Sequence, residues 1–446
     1  MSDFTPDGIS AEPRRRRHIL HPIPPAPSWR EEFGAVRDIA DGDLAVSLWR
    51  ALRNVRLWAE TDPETRRHLF HLPTTATQEA LGKACAAAPQ LVEAFGTFTY
   101  LLRSPGQIST TQIAEACRQV YEWAETRSMM LVAVYFAEAA AIVSPEDPVL
   151  ANKAGHICRR ASVDERSGIW YLRAFGLAVR LRGQQETVSR EESLRALFGY
   201  GTLLQTWGRL KEAKQYFEQA AKRAERTGRR RHAAKAKHEL LTFAAEVGTY
   251  EEGERYAKDA LDLYPIQDHH LPALAHDWAY LLIRFHFYSC AVPLLELAVT
   301  RARKPAIETL FWSTLGWAAA GAGRRDRFQK SKEEVLRRIV TCDEFAPGAL
   351  YHLAEGARHC GEWDESELYL GQALEIAGKR NEALLEREAT ELLGRVTARE
   401  PAPREASPPN PDSVRILTRR FSARLRNLKV PDPGESGTGA DQAVTG

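Results

Sequence analysis

Histidine, cysteine and carboxylate side chains are the residues of this sequence that could bind a metal or carry a nucleophile, and their spacing favours neither. Among the 13 histidines, His68 and His71 fall one helical turn apart, but zinc needs further ligands and none is spaced to supply them. His269 and His270 stand just before Pro272 and read as a loop between helices. His352 and His359 are two helical turns apart, with Cys360 beside the second, a weak arrangement for one ion. The six cysteines, at 85, 117, 158, 290, 342 and 360, include no C-x-x-C pair, so no zinc ribbon or thioredoxin-type centre is encoded and a reducing compartment is expected. With no nucleophile motif and no phosphate-binding glycine loop, the chain is expected to be non-enzymatic, without metal or cofactor.

Charge narrows the class further. The 446 residues carry 61 basic and 59 acidic side chains, a net charge of +2, which excludes steering of a polyanion by the whole molecule. Local basic patches remain: Arg14 to Arg17 near the start, Arg229, Arg230, Arg231, Lys235 and Lys237 in the middle, and a run of arginines near the end. The middle cluster reads as a solvated loop between helices. The first twenty residues hold no apolar core of a signal peptide, and the longest apolar stretch, Met129 to Val143, is interrupted by Glu138 and is shorter than the ~20 residues of a membrane span. A soluble, cytoplasmic protein is expected, and the excess of arginine over lysine suggests a GC-rich, bacterial genome.

The elements that must position any site repeat along the chain. The clearest unit, from Leu194, reads LRALFGYGTLLQTWGRLKEAKQYFEQAAKRAERTG: a helix with small Gly201, a turn at Gly208, and a second helix with Ala213, Phe217 and Ala220. Sliding this register both ways places seven second-helix positions at Ala140, Ala174, Ala220, Ala260, Ala298, Val335 and Ala373, spaced by 34, 46, 40, 38, 37 and 38 residues. Small residues are needed there because crossing helices approach to about 8–10 Å.

These units resemble tetratricopeptide (TPR) repeats. Trp312, Leu315 and Gly316 match the opening W-x2-L-G of that signature, Ala213 and Phe217 its A-x3-F, and Pro145 and Pro265 its closing proline. The resemblance covers about Thr111 to Arg399 and implies an all-α, right-handed superhelical solenoid of about seven helix hairpins with an N-terminal helical cap. Phe328 and Val335 stand where small residues are expected, so the sixth hairpin is expected to pack irregularly. The long units are more similar to the degenerate repeats of bacterial peptide-responsive regulators than to those of chaperone adaptors.

Outside the array the expected organisation is a disordered Arg/Pro-rich arm over 1–28, a helical cap or domain over 29–110 with Leu44, Leu48, Leu52, Val55 and Trp58 on one stripe, the solenoid over 111–399, a proline-rich linker over 400–411, a basic amphipathic helix over 412–430 and a disordered tail over 431–446. Thr110 to Trp123 lacks the turn glycine of a helix-turn-helix and reads as one continuous helix.

The resemblance also implies that first helices line a concave wall, where residues four apart face a bound segment. The register selects Asn152 and His156, His238 and Thr242, His276 and Tyr280, Ser313 and Trp317, and Tyr351 and Glu355, the alternative for each being packing between hairpins. Aromatic and histidine side chains suit a protein or peptide partner. A carboxylate clamp of the adaptor type is disfavoured, since Asn152 lacks its lysine partner and Lys235 is followed by Glu239. In the last helix Val414, Leu417, Phe421, Leu425 and Leu428 form an apolar face, which favours docking on protein. Its Arg415, Arg419, Arg420, Arg424, Arg426 and Lys429 leave contact with nucleic acid or an anionic membrane as the alternative for this helix, and, together with Arg14 to Arg17, a nucleic-acid-associated regulator as the alternative for the protein, with a log-log salt slope of about −5 on duplex DNA if these six neutralise phosphates.

Overall fold

The computed structural model describes residues 20–37, 39, 41–70, 75–302, 304–340, 345–380 and 382–429; Arg14 to Arg17, His71, Cys342 and the last residues, 430–446, lie outside them. Among the described residues the regular structure is helical, with 21 α-helices, a 3-10 turn at Pro89–Leu91 and no strand. No helix among them is long and apolar enough to cross a membrane. The chain divides into two compact units, up to Leu203 and from Leu204 on.

The first unit opens with α1 (Trp29–Val36), α2 (Gly42–Glu60), α3 (Pro63–Leu69), α4 (Thr75–Ala87) and α5 (Val92–Arg103). The stripe on α2 is buried at all five positions, and the Trp58 indole N–H donates to the Pro105 carbonyl at 2.8 Å. Then α6 (Thr110–Glu125) starts at a capping box in which Ser109 and Gln112 satisfy each other's backbone N–H, and runs unbroken where a helix-turn-helix would bend. It pairs with α7 (Met130–Val143), as α8 (Pro148–Arg160) pairs with α9 (Asp164–Arg180); α10 (Glu186–Thr206) carries the division between the units.

Glu138, the residue that interrupts the apolar stretch of α7, is the centre of this unit's buried charge. Its carboxylate accepts from Arg166 at 2.7 and 2.8 Å and from the Trp170 indole at 2.9 Å, while Arg56 of α2, 3.8 Å away, also pairs with Glu32 of α1 at 2.9 Å. Helices of the N-terminal region are thus tied to the first hairpins by ions that must stay paired once removed from water. Residues 20–28, the described part of the expected disordered arm, run extended and non-helical to the Ser28 cap of α1, with Arg173 donating to the His21 carbonyl and Arg166 to the Pro25 carbonyl.

The second unit continues with α11 (Leu210–Arg226) and then with pairs of antiparallel neighbours: α12 (Arg230–Val247) with α13 (Tyr250–Leu263), α14 (Leu271–Arg284) with α15 (Tyr288–Val299), α16 (Pro305–Gly321) with α17 (Arg325–Ile339), and α18 (Ala346–Cys360) with α19 (Trp363–Arg380). A further helix, α20 (Ala383–Thr397), packs on α19, and α21 (Pro411–Arg426) packs on α14 and α15. The seven small-residue positions fall on α7, α9, α11, α13, α15, α17 and α19, and every one is fully buried.

Phe328 does not make its hairpin irregular. It is fully buried, and a glycine on the next first helix makes its room: a Cβ on Gly356 would stand 2.4 Å from its Cε2, whereas one on Gly316 would crowd Ser331 Cβ at 3.2 Å and meet the Phe328 ring only at ordinary contact, 3.5 Å. Tyr171 is accommodated in the same way in the first unit, where Cβ atoms on Gly155 and Gly199 would fall 3.0 and 2.2 Å from the ring. Large second-helix side chains therefore seat against first-helix glycines, which is how the core reaches close packing.

Candidate functional site

The residues expected to line a concave wall are placed on successive first helices, but they are not an open surface. Asn152, His156, His276, Ser313, Trp317, Tyr351 and Glu355 are buried, and His238, Thr242 and Tyr280 are part-buried. The reason is a ladder of polar contacts running from one first helix to the next. In the first unit Asn152 donates to both the carbonyl and the carboxylate of Glu192, at 2.9 and 2.8 Å. In the second, His238 Nε2 lies 2.7 Å from Asp277 Oδ2, His276 Nε2 lies 2.9 Å from Thr314 Oγ1, and His352 Nδ1 lies 3.1 Å from both Ser313 Oγ and Thr314 Oγ1. The partners are 40, 39, 38, 39 and 38 residues apart, one structural repeat each. Thr242 turns back to its own helix, donating to the Glu239 carbonyl at 2.7 Å.

These rungs fix protonation states. Burial pushes Asp277 up, but His238 and His276 both hydrogen-bond its carboxylate and hold it well below the usual carboxylate range. His352 is lowered to about 3 by burial and by the nearby charges of His276 and Arg284, so it is neutral at physiological pH. Asp277, Thr314 and Glu192 were not selected from the sequence. The signal that would have found them is a polar residue one repeat beyond each chosen histidine or asparagine.

Further along the same helices the aromatic residues converge. The Trp317 ring lies 6.1 Å from Tyr280, 5.5 Å from His352 and 6.1 Å from Tyr351, centroid to centroid. Beside them is a cavity of about 200 Å³ lined by Trp317, Tyr351, Glu355, Arg284, Arg358 and Glu388 among others. Arg284 Nη2 sits 3.5 Å from a carboxylate oxygen of Glu246 and 3.5 Å from one of Glu388, and the Tyr280 hydroxyl donates to Glu246 at 3.0 Å. Burial raises Glu388 to about 8, and the neighbouring Glu246 carboxyl adds to the rise.

The proline-rich segment after α20 is held against this cavity. Arg358 donates to the carbonyls of Glu400 and Pro401 at 3.1 and 3.2 Å, Pro403 joins the cavity lining, and the Ala406 N–H donates to the His286 carbonyl at 2.9 Å. Glu405 accepts from the backbone N–H and hydroxyl of Ser289 at 2.7 and 2.9 Å. Because α15 has no side-chain cap of its own, Glu405 supplies both the missing acceptor and the negative charge favoured at a helix N-terminus.

Beyond this strap, α21 docks through the apolar face read from the sequence, with Val414, Leu417, Phe421, Leu425 and Leu428 all buried. Phe421 stacks on Trp278 at 6.5 Å. Of its basic residues, Arg420 pairs with Asp262, Arg424 reaches the carbonyls of Leu261 and Tyr264, and Arg415 pairs with Asp412 on its own helix. Arg419, Arg426 and Lys429 stay exposed. The six therefore do not form one free surface for phosphates. A separate trio, Asp268, His269 and His270, brings possible ligand atoms within 4.8 Å, but Arg231 stands 3.0 Å from Asp268 and already supplies a cation there.

These features define an all-α helical-repeat protein. No family model and no curated protein matches the chain. Among solved structures it is similar to the Rap conjugation gene regulator of the plasmid pLS20, determined in complex with the Phr* peptide, at 13% identity over 78% of this chain and 96% of that one with a TM-score of 0.43. It is also similar to BtubC from P. vanneervenii (16% identity, 53% and 94% covered, TM-score 0.39) and to a circular tandem repeat protein with novel repeat topology (13%, 90% and 100% covered, TM-score 0.20).

Proposed function

We propose that this chain is a non-enzymatic, TPR-like scaffold or regulator of the bacterial cytoplasm, whose second unit binds an extended peptide segment where residues 400–406 now lie. The observation that carries this reading is the strap itself. A non-helical, proline-containing segment is held there through main-chain carbonyls by Arg358, through a main-chain bond at His286 and through a carboxylate at the start of α15. Each of these contacts reads backbone or one acidic side chain, so a partner segment of similar form would meet the same donors. Of the residues selected from the sequence, Trp317, Tyr351 and Glu355 border this place.

The test is competition in the full-length chain. A fluorescent peptide of sequence EPAPREASPP should bind weakly to the intact protein, because the strap occupies the place at high effective concentration. It should bind at least about tenfold more tightly to the Glu405→Ala chain, whose strap has lost its anchor. Equal and negligible binding to both proteins would refute the reading.

A further inference from the structure

Glu246 and Glu388 come from helices far apart in sequence, α12 and α20, yet both carboxyls turn to the same guanidinium, Arg284 of α14. Their side chains are only 13% and 16% exposed. One cation between two mostly buried carboxyls leaves the pair one positive charge short, and a buried carboxylate without a counter-charge is costly. The other groups facing the pair do not fill the deficit. Tyr280 already donates to Glu246, Tyr351 is a neutral phenol, and Arg358 is taken up by Glu355 and two carbonyls. Arg387 lies on the exposed side of α20 and acts on Glu388 less than Arg284 does. Arg395 and Glu391, also exposed, offset each other at the rim.

The adjoining cavity, about 200 Å³, has space for roughly six waters at ~30 Å³ each. Trp317, one of its walls, is 4% exposed, and its indole N–H has no acceptor. Trp317 and Tyr351 wall the cavity beside Glu388, aromatic faces of the kind that favour organic cations, while Tyr280, 6.1 Å from Trp317, holds Glu246 behind the wall.

We propose that this cavity is a subsite for an organic cation, a protonated amine or guanidinium that enters beside Pro403 and completes the charge of Glu246 and Glu388. In the context of the peptide-binding reading, on which this assignment to a partner rests, the cation is a lysine or arginine side chain carried where the strap has Pro403. A free amine of similar reach offers the same chemistry. Proton balance follows from the geometry: the two carboxyls share a proton while the site is empty, and an incoming cation takes over that proton's role, so the proton leaves to solvent. Burial and the neighbouring Glu246 carboxyl raise Glu388, so it holds a proton at neutral pH and binding of the cation releases it.

The experiment is calorimetry on the full-length protein in two buffers of different ionisation enthalpy. The probes are EPAPREASPP, the same peptide with lysine or with norleucine in place of its second proline, and free agmatine. The expected result is about tenfold tighter binding of the lysine peptide than of the norleucine peptide, with proton release, and loss of both differences in Glu388→Gln and in Glu246→Gln. Agmatine distinguishes the sources. Proton-releasing agmatine binding without any peptide binding would uphold the cation site and refute the strap reading. Equal affinities for lysine and norleucine peptides, with no agmatine binding, would overturn the cation site even where the unmodified peptide binds.

Discussion

Replacing Phe421 by alanine should detach the C-terminal helix while leaving the hairpins beneath it folded. The ring is 1% exposed and lies nearly parallel to the Trp278 indole, at 14° and 6.5 Å. Truncating a buried phenylalanine costs about 3–5 kcal/mol. Besides its apolar face, opening of α21 breaks the Arg420 and Arg424 bonds, the Ser413–Glu254 and Trp278–Thr418 contacts and the Gln267 bonds to Asn427 and Lys429, all of them made by α21 and its end, so this cost falls mainly on the local equilibrium. At ~1.4 kcal/mol per factor of ten, the open population should rise about a hundredfold to a few thousandfold. Amide hydrogen exchange reads this directly: the α21 amides and Ala406 should lose about two to three and a half decades of protection, while those of α14 and α15 keep theirs. Unchanged exchange in α21 would show that Phe421 does not anchor it. Equal loss in α14 and α15 would show that the tail belongs to one cooperative unit with them.

Three further outcomes are expected. Gly356→Ala should destabilise the second unit by about 1–3 kcal/mol through its clash with Phe328, and Phe328→Leu should recover part of that loss in a denaturant double-mutant cycle; additive effects would refute the wedge. Stability measured by urea midpoint should peak near pH 6.5. Below it the unfolded chain protonates His352 and His359 first, whose folded values are about 3 and 4, so stability falls by up to about 1.4 kcal/mol per pH unit for each group; Glu388, raised from 4.5 to about 8, acts in the opposite sense between those two values, offsetting part of the acid limb and leaving a decline between pH 6.5 and 8, so Glu388→Gln should remove that decline and steepen the acid limb. Glu138→Gln should cost about 3–5 kcal/mol in the first unit, read by thermal unfolding, because it leaves Arg166 and Arg56 buried without their shared anion.

What could be read from the sequence was the periodic part. Ala140 through Ala373 mark buried crossings because each depends on its own hairpin and recurs in register. Phe328 was misread because its relief lies on Gly356, in the next hairpin, and the signature compares each residue only with its own position in the repeat. The histidines of the first helices were placed on the correct elements, but their burial depends on Asp277, Thr314 and Ser313 reaching across from neighbouring helices. Glu246 and Glu388 were invisible for a stronger reason: no period relates them, and only the path of the second unit brings α20 to the same arginine as α12. The proline-rich linker was read as a spacer because most of its bonds use its own main-chain atoms, at Glu400, Pro401 and Ala406, and the single side-chain anchor, Glu405, belongs to no repeat.

The glycine-seated aromatics also govern how this chain can change by duplication or deletion. Tyr171 is matched to Gly155 and Gly199, and Phe328 to Gly356, so each ring is keyed to a glycine of the repeat that follows it. A copied hairpin inserted between Phe328 and Gly356 would present that ring with a different neighbour, and the fit would survive only if the copy carried glycine in the same place. The repeats are therefore not interchangeable modules. Inheritance and engineering alike must move such a ring together with the glycine that seats it.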